Sequence, residues 1–112
     1  MSTPERPSPV LAIKVLSEVR FEDRLEGYSL RERAGAVRIT MYSLKEVASF
    51  LNGRHPRIDF QTLQGWVRDV IGDRELADLL KEVDGEPISG QAKCDRCRQL
   101  IQRRLGECEE VV

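Results

Sequence analysis

The sequence predicts a mainly α-helical protein, with a compact bundle of four helices in residues 42–105 and a short two-stranded β element in residues 18–41. Three observations favour this fold class. Apolar residues recur at positions i, i+3, i+4 and i+7 in the second half of the chain, as on a helix with one buried face. The connections between these segments are short, which favours antiparallel neighbours. Residues of the type that caps helices precede the segments: Ser43, Asp59, Asp73 and Ser89.

Length and composition fit a single domain, which we assign to residues 10–112 of the 112-residue chain. Residues 1–9 contain three prolines and no apolar core, so we expect a flexible leader and not a signal peptide. The 18 basic residues nearly cancel the 19 acidic ones, without the basic excess typical of a dedicated nucleic-acid binder. No apolar run approaches the roughly 20 residues that span a bilayer. We therefore expect a cytoplasmic protein without membrane contact.

The first part of the chain gives a mixed pattern. Residues 10–16 are apolar apart from one lysine and fit either a strand or a helix. Short alternation in residues 19–21 and 37–41 predicts two strands that pair around the charged stretch 22–32. The sequence Tyr-Ser-Leu-Arg-Glu at 28–32 is echoed by Tyr-Ser-Leu-Lys-Glu at 42–46. In each copy a serine precedes a glutamate by three residues, and this spacing predicts two helix-opening capping boxes.

The four helices follow from the caps and the apolar stripes. The first begins after Ser43 and ends near Gly53 and Pro56. The second begins after Asp59 and is stopped by Gly72, and Trp66 on this helix is expected to anchor the core or, alternatively, to border a partner groove. The third occupies residues 74–83, and the fourth runs from Ser89 to about Leu105, where Gly106 ends it.

The three cysteines and the single histidine are the candidates for metal or redox chemistry. Cys94, Cys97 and Cys108 continue an apolar helical stripe, so we interpret them as core residues, with a disulfide or a metal site as alternatives. His55 would complete a Cys₃His set, although the spacing does not require one. No phosphate loop, dinucleotide fingerprint or nucleophile elbow is present, so we expect neither an enzyme nor a cofactor.

Two resemblances involve residues 42–83. The first is carried by the segments Ser43-Leu44-Lys45-Glu46-Val47, Asp59-Phe60 and Trp66-Val67-Arg68-Asp69-Val70-Ile71-Gly72-Asp73-Arg74-Glu75-Leu76-Ala77. These segments resemble a family of uncharacterised, largely archaeal small helical domains, and the resemblance implies a helical fold without an assigned activity.

The second resemblance is to helix-turn-helix regulators of the mercury-resistance type. Residues 42–48 are similar to their opening helix, and Thr-Leu-Gln-Gly-Trp at 62–66 is similar to their recognition helix. In such proteins the recognition helix enters the major groove. The resemblance implies two sets of DNA contacts: Gln61, Thr62 and Gln64 to bases, and Arg54, Arg57 and Arg68 to phosphates.

Three functions remain open from the sequence. The first is a non-enzymatic helical interaction or regulatory module that binds a protein partner or itself. The alternative is a DNA-binding helix-turn-helix transcriptional regulator. A zinc- or redox-responsive protein that uses the three cysteines is the third.

Overall fold

The computed structural model describes residues 6–31, 33 and 35–112, and this part of the chain is mainly α-helical, as predicted. It contains five α-helices and one three-stranded antiparallel sheet. Helix α3 continues into a π-helical turn at Val67–Ile71, and a 3₁₀ turn lies at Phe21–Asp23. The helices are α1 (Pro9–Leu16), α2 (Leu44–Leu51), α3 (Phe60–Trp66), α4 (Arg74–Asp84) and α5 (Gly90–Val111), and the strands are β1 (Leu25–Arg31), β2 (Gly35–Met41) and β3 (Pro56–Arg57).

The four helix caps predicted for residues 42–105 are confirmed. The Ser43 hydroxyl accepts a hydrogen bond from the Glu46 backbone N–H, and the Glu46 carboxylate accepts one from the Tyr42 N–H. These two bonds occupy N–H groups that would otherwise lack partners at the start of α2. The other caps accept as follows: Asp59 from the N–H groups of Gln61 and Thr62, Asp73 from Leu76, and Ser89 from Ala92.

The helical part differs from the predicted four-helix bundle at both ends. Helix α1 precedes the predicted bundle, and Ser8 caps it with Pro9 in its first turn, where a proline removes no helical hydrogen bond. Residues 1–5 of the expected leader lie outside the described residues. Helix α5 runs through Gly106 to Val111. The prediction that Gly106 ends α5 was wrong because burial of Cys108 beyond it outweighs the low helix propensity of one glycine.

The predicted two-stranded element was wrong in its first strand and lacked β3. Val19 lies in no strand, although its N–H donates to the Tyr42 carbonyl at 2.6 Å. The charged stretch 22–32, which was expected to connect two strands, instead contains strand β1. The first predicted capping box therefore lies in a strand, where the Ser29 hydroxyl donates to the Arg54 carbonyl. Glu32 of that repeat lies outside the described residues.

Strand β1 is the centre of the sheet, between β2 and β3. Below it the core is formed mainly by helix α5, on which α1, α2 and α4 pack. Trp66 is buried as expected for a core anchor, and its indole N–H donates to the Asp23 carbonyl at 2.6 Å. Within the described part of the chain, every helix is too short or too polar to cross a bilayer.

Gly27 sets how closely the sheet approaches helix α2. A Cβ atom added at Gly27 would lie 2.6 Å from Cζ of Phe50, closer than side chains pack. We therefore expect Gly27→Ala to lower the free energy of unfolding by about 1–3 kcal/mol, as overpacking does. Urea unfolding followed by circular dichroism measures this. Gly106→Ala, which meets no atom within 4 Å, is the control and should raise stability instead. Unchanged stability in Gly27→Ala would contradict the close approach.

Candidate functional site

One face of the sheet is exposed and carries an aromatic side chain between two arginines. Tyr28 in β1 pairs with Arg38 of β2 on one side and with Arg57 of β3 on the other. Residues that pair directly across antiparallel strands project to the same face, so the three side chains form one row across the sheet. Tyr28 is 45% exposed, and both arginines are exposed. Leu30 pairs with Ala36 on the same face.

The opposite face of the sheet packs on helix α2 and fixes which side chains reach solvent. Leu25 and Met41 pair on that face and are almost fully buried. Gly27 lies there too, against Phe50 of α2. Because side chains alternate along a strand, burial of Leu25 and Gly27 places Tyr28 and Leu30 on the outer face. A shift of the strand pairing by one residue would bury Tyr28 and Leu30 instead.

Several arginines around the sheet lack an acidic partner. Arg31, Arg54 and Arg57 are exposed, and no carboxylate among the described residues lies within ion-pair distance of them. Arg38 forms a longer ion pair with Glu26, at 3.9 Å. Elsewhere arginines are more closely paired: Arg24 with Glu26 at 3.2 Å, Arg68 with Asp69 at 3.1 Å, Arg96 with Glu86 at 3.1 Å and Arg104 with Asp73 at 2.7 Å. Arg31 shares the inner face of β1 with Leu25 and Gly27, so we call Tyr28, Arg38, Arg54 and Arg57 the basic sheet surface.

The loop that carries Arg54 and Arg57 is tied to the central strand. The Ser29 hydroxyl donates to the Arg54 carbonyl at 2.9 Å, and the Leu30 N–H donates to the His55 carbonyl at 3.3 Å. His55 has a φ of 48°, a left-handed conformation that turns the chain into β3. A concave region of about 830 Å³ lies beside this loop on the Phe50 side of the sheet, and its lining includes Ile39, Phe50, Arg54 and His55. The two loop arginines are thus held at the edge of the sheet.

The residues expected to contact DNA lie on two different elements. The structure places Arg54 and Arg57 together beside β1, whereas Gln61, Thr62, Gln64 and Arg68 lie on α3 and its π-helical extension. Gln61 and Thr62 are exposed. Helix α3 packs on α4, while α2 packs on α5, and the residues that connect α2 to α3 include β3.

Two of the α3 candidates are engaged within the chain. The Gln64 side-chain amide donates to Asp84 at 3.2 Å. The Arg68 guanidinium donates two hydrogen bonds to Asp69, each at 3.1 Å, and these bonds lower the pKa of the Asp69 carboxyl. A nucleic acid would have to displace these partners before it reached either side chain. Arg54 and Arg57 have no such competitor among the described residues.

The three cysteines are free thiols buried on the core side of α5, in agreement with their interpretation as core residues. Burial raises the pKa of all three thiols and raises that of Cys97 to about 12. His55 is exposed on the loop before β3. In the part of the chain that the structure describes, no group of three or more His, Cys, Asp and Glu side chains is arranged to hold a metal ion.

We expect these thiols to be unreactive in the folded protein. A pKa near 12 in place of the ordinary value near 9 leaves Cys97 with about a thousandfold less thiolate at pH 8. Ellman's reagent should therefore modify the native protein slowly and modify three thiols rapidly in urea. Because burial raises the pKa of Cys97, the free energy of unfolding is unaffected by this thiol below pH 9 and declines as pH rises toward 12. In that range the thiol ionises in the unfolded chain before it ionises in the folded protein. Rapid labelling of native Cys97 would contradict this burial.

Sequence reasoning missed Tyr28 and Arg38. Tyr28 was assigned to a capping box, and the strand that contains Arg38 was expected to pair with residues 19–21 and not with β1. The signal that was available is the alternation around Tyr28, with Gly27 and Ser29 as small inward residues. It was masked because Leu25–Arg31 contains no β-branched residue.

Comparisons of the chain with protein-family models, with curated proteins and with solved structures found no significant match. Similarity therefore assigns neither a family nor a function to this chain.

Proposed function

We propose that this protein is a non-enzymatic nucleic-acid-binding module that uses the basic sheet surface. The observation that carries the proposal is the row Arg38–Tyr28–Arg57, exposed across the sheet, with Arg54 on the adjoining loop. Guanidinium groups bind phosphates through paired N–H donors, and Arg54 and Arg57, which form no ion pair among the described residues, do so without first breaking one. An exposed aromatic ring among them adds a contact to bases or sugars.

The electrostatics of the whole chain are compatible with this local surface. The formal net charge is −1, so long-range attraction to a polyanion is weak and affinity must come from short-range contacts. Some acidic side chains elsewhere are paired with arginines and lysines, for example Asp84 with Lys93 and Glu86 with Arg96. Arg54 and Arg57 have no such acidic partner among the described residues, so their guanidinium groups are available to a polyanion.

A binding role is favoured over catalysis by the state of the reactive groups. The thiols are buried and their pKa values are raised, which makes them poor nucleophiles. His55 lies on an exposed loop among arginines, and no carboxylate among the described residues pairs with it to orient it as a general base.

Binding to labelled random-sequence DNA at two salt concentrations tests the proposal. We expect binding that weakens as salt rises, because each arginine–phosphate contact releases a counterion. Arg54→Ala with Arg57→Ala should weaken binding and lower the salt slope by about 0.7 to 0.9 per arginine. Arg103→Ala is the control, since Arg103 is exposed on α5, about 20 Å along the helix from Gly90.

Two results would contradict the basic sheet surface as the site. Absence of binding at low salt would remove nucleic acid as the ligand. Loss of binding in Gln61→Ala and Arg68→Ala, with Arg54→Ala and Arg57→Ala unaffected, would assign the contact to α3 and favour the helix-turn-helix alternative.

A second candidate function is association with a protein partner or a second copy of the chain. It is favoured by exposed apolar residues on α1, where Val10 is 79% exposed and Ile13, one turn later, is 59% exposed. Neighbouring apolar side chains of this kind mark interaction surfaces when they form a continuous patch. Light scattering tests self-association: a mass above one chain that falls to one chain in Val10→Ser with Ile13→Ser supports it, and a monomeric wild-type protein would contradict it.

A further inference from the structure

We infer that the basic sheet surface binds a single-stranded nucleic acid, with one base stacked on Tyr28 and phosphates on the flanking arginines. This inference rests on the proposed function and narrows the ligand to one structural class. It follows from the position of the aromatic ring at the middle of the surface, between Arg38 and Arg57, and not at its rim.

The row of side chains has the chemical pattern of a nucleotide chain. A single strand presents a planar base with a phosphate on either side, and the sheet presents an aromatic ring with a guanidinium on either side. Strands lie about 4.8 Å apart in a sheet, so the two arginine backbones lie about 10 Å apart across Tyr28. Their long, flexible side chains reach phosphates on both sides of a base that stacks on the ring.

Tyr28 is free to act as a stacking platform. Its side chain is 45% exposed, and no hydrogen bond to its hydroxyl occurs among the described residues. Phe21 is also exposed, at 64%, but the Arg24 guanidinium lies 4.1 Å from the centre of its ring and occupies one face. Of these two exposed rings, Tyr28 is therefore the one that offers an open face within the arginine cluster.

The charges around the row define the direction in which a strand leaves Tyr28. Toward the start of β1, Glu26 lies on the same face and is held by Arg24 at 3.2 Å, which places a carboxylate where a phosphate would be repelled. Toward the end of β1 the same face continues to Leu30, with Arg54 on the adjoining loop. A bound strand therefore extends from Tyr28 toward the loop and the end of the hairpin.

A duplex does not use this arrangement. Its bases are stacked on one another and expose only their edges, so a ring at the centre of the surface gains no stacking partner. A single strand exposes the faces of its bases, and stacking on an aromatic side chain adds affinity with little dependence on sequence. The central tyrosine thus favours single strands, whereas the arginines alone would bind either form.

Fluorescence anisotropy with the full chain tests the inference, using a labelled single-stranded random 20-mer and a duplex of the same length. We expect tighter binding of the single strand. Tyr28→Ala should weaken single-strand binding about 5- to 150-fold, the range for loss of one stacked base, and leave duplex binding unchanged. Tyr28→Phe should retain binding, because the ring and not the hydroxyl stacks. Phe21→Ala is the matched aromatic control, and circular dichroism checks that each variant is folded.

The outcomes separate this inference from the proposed function. Equal affinity for both nucleic acids, with loss only in Arg54→Ala and Arg57→Ala, would overturn the single-strand inference and leave the nucleic-acid proposal standing. Equal loss in Phe21→Ala and Tyr28→Ala would overturn Tyr28 as the stacking site. Absence of binding to either probe would overturn both the inference and the proposed function. The same conclusion would follow if polyglutamate displaced the labelled oligonucleotide as effectively as unlabelled oligonucleotide does.

Discussion

Replacing Arg104 by methionine is expected to lower the free energy of unfolding by about 3–5 kcal/mol, the range for breaking a buried ion pair. Arg104 of α5 and Asp73 at the start of α4 are 3% and 1% exposed. The guanidinium donates from Nε to Oδ2 of Asp73 at 2.7 Å and from Nη2 to Oδ1 at 3.3 Å. When the Arg104 guanidinium is removed, the Asp73 carboxylate stays buried but loses its main counter-charge. Urea unfolding measures the change.

The same pair allows two internal controls. Arg103→Ala removes an exposed guanidinium from the adjacent position and should change stability by less than about 0.5 kcal/mol. Combining Arg104→Met with Asp73→Ser removes both buried charges and keeps a hydroxyl to cap the Leu76 N–H, so the double variant should be more stable than Arg104→Met alone. A loss below about 1 kcal/mol in Arg104→Met would contradict a buried pair of this strength.

Phe50→Ala is expected to lower the free energy of unfolding by a similar amount, about 3–5 kcal/mol, because it leaves a cavity between α2 and the sheet. Phe50 is 8% exposed, and its ring covers Gly27. This contact anchors the inner face of the sheet, so binding at the outer face should weaken as well. Urea unfolding and oligonucleotide binding measure the two effects.

Ser49→Ala is the control for Phe50→Ala, because Ser49 is the preceding residue of α2 and faces solvent. It should leave both stability and binding near the wild-type values. Full stability in Phe50→Ala would show that the sheet does not depend on this contact, and the exposed row of side chains would then lack its structural support.

The helices were predictable from the sequence because their signals are local. A cap such as Asp59 and the apolar stripe that follows it lie within a few turns of each other, and the structure uses them as expected. The strands were not predictable to the same degree. Tyr-Ser-Leu followed by a basic residue forms a strand at 28–31 and opens a helix at 42–45. The residues that distinguish the two copies are partly distant in sequence, because β1 pairs with β3 and packs against the Phe50 ring.

The candidate site was only partly predictable for the same reason. Arg54 and Arg57 are close together in the sequence, and they were expected to contact phosphates. Their association with Tyr28 and Arg38 depends on pairing across the sheet, between residues that are up to 29 positions apart. The buried pair of Asp73 and Arg104 is similar: Asp73 was expected only as a cap, and its second role requires a partner 31 residues away. Local patterns carry no signal for either arrangement.

The most direct test of the basic sheet surface is an NMR titration of the ¹⁵N-labelled protein with a single-stranded oligonucleotide. If nucleic acid binds where we propose, the largest amide shift changes will occur in β1, in β2 and in residues 54–57, and they will diminish as salt is added. Largest changes on α1, or on Gln61 to Arg68 of α3, would contradict the basic sheet surface as the binding site.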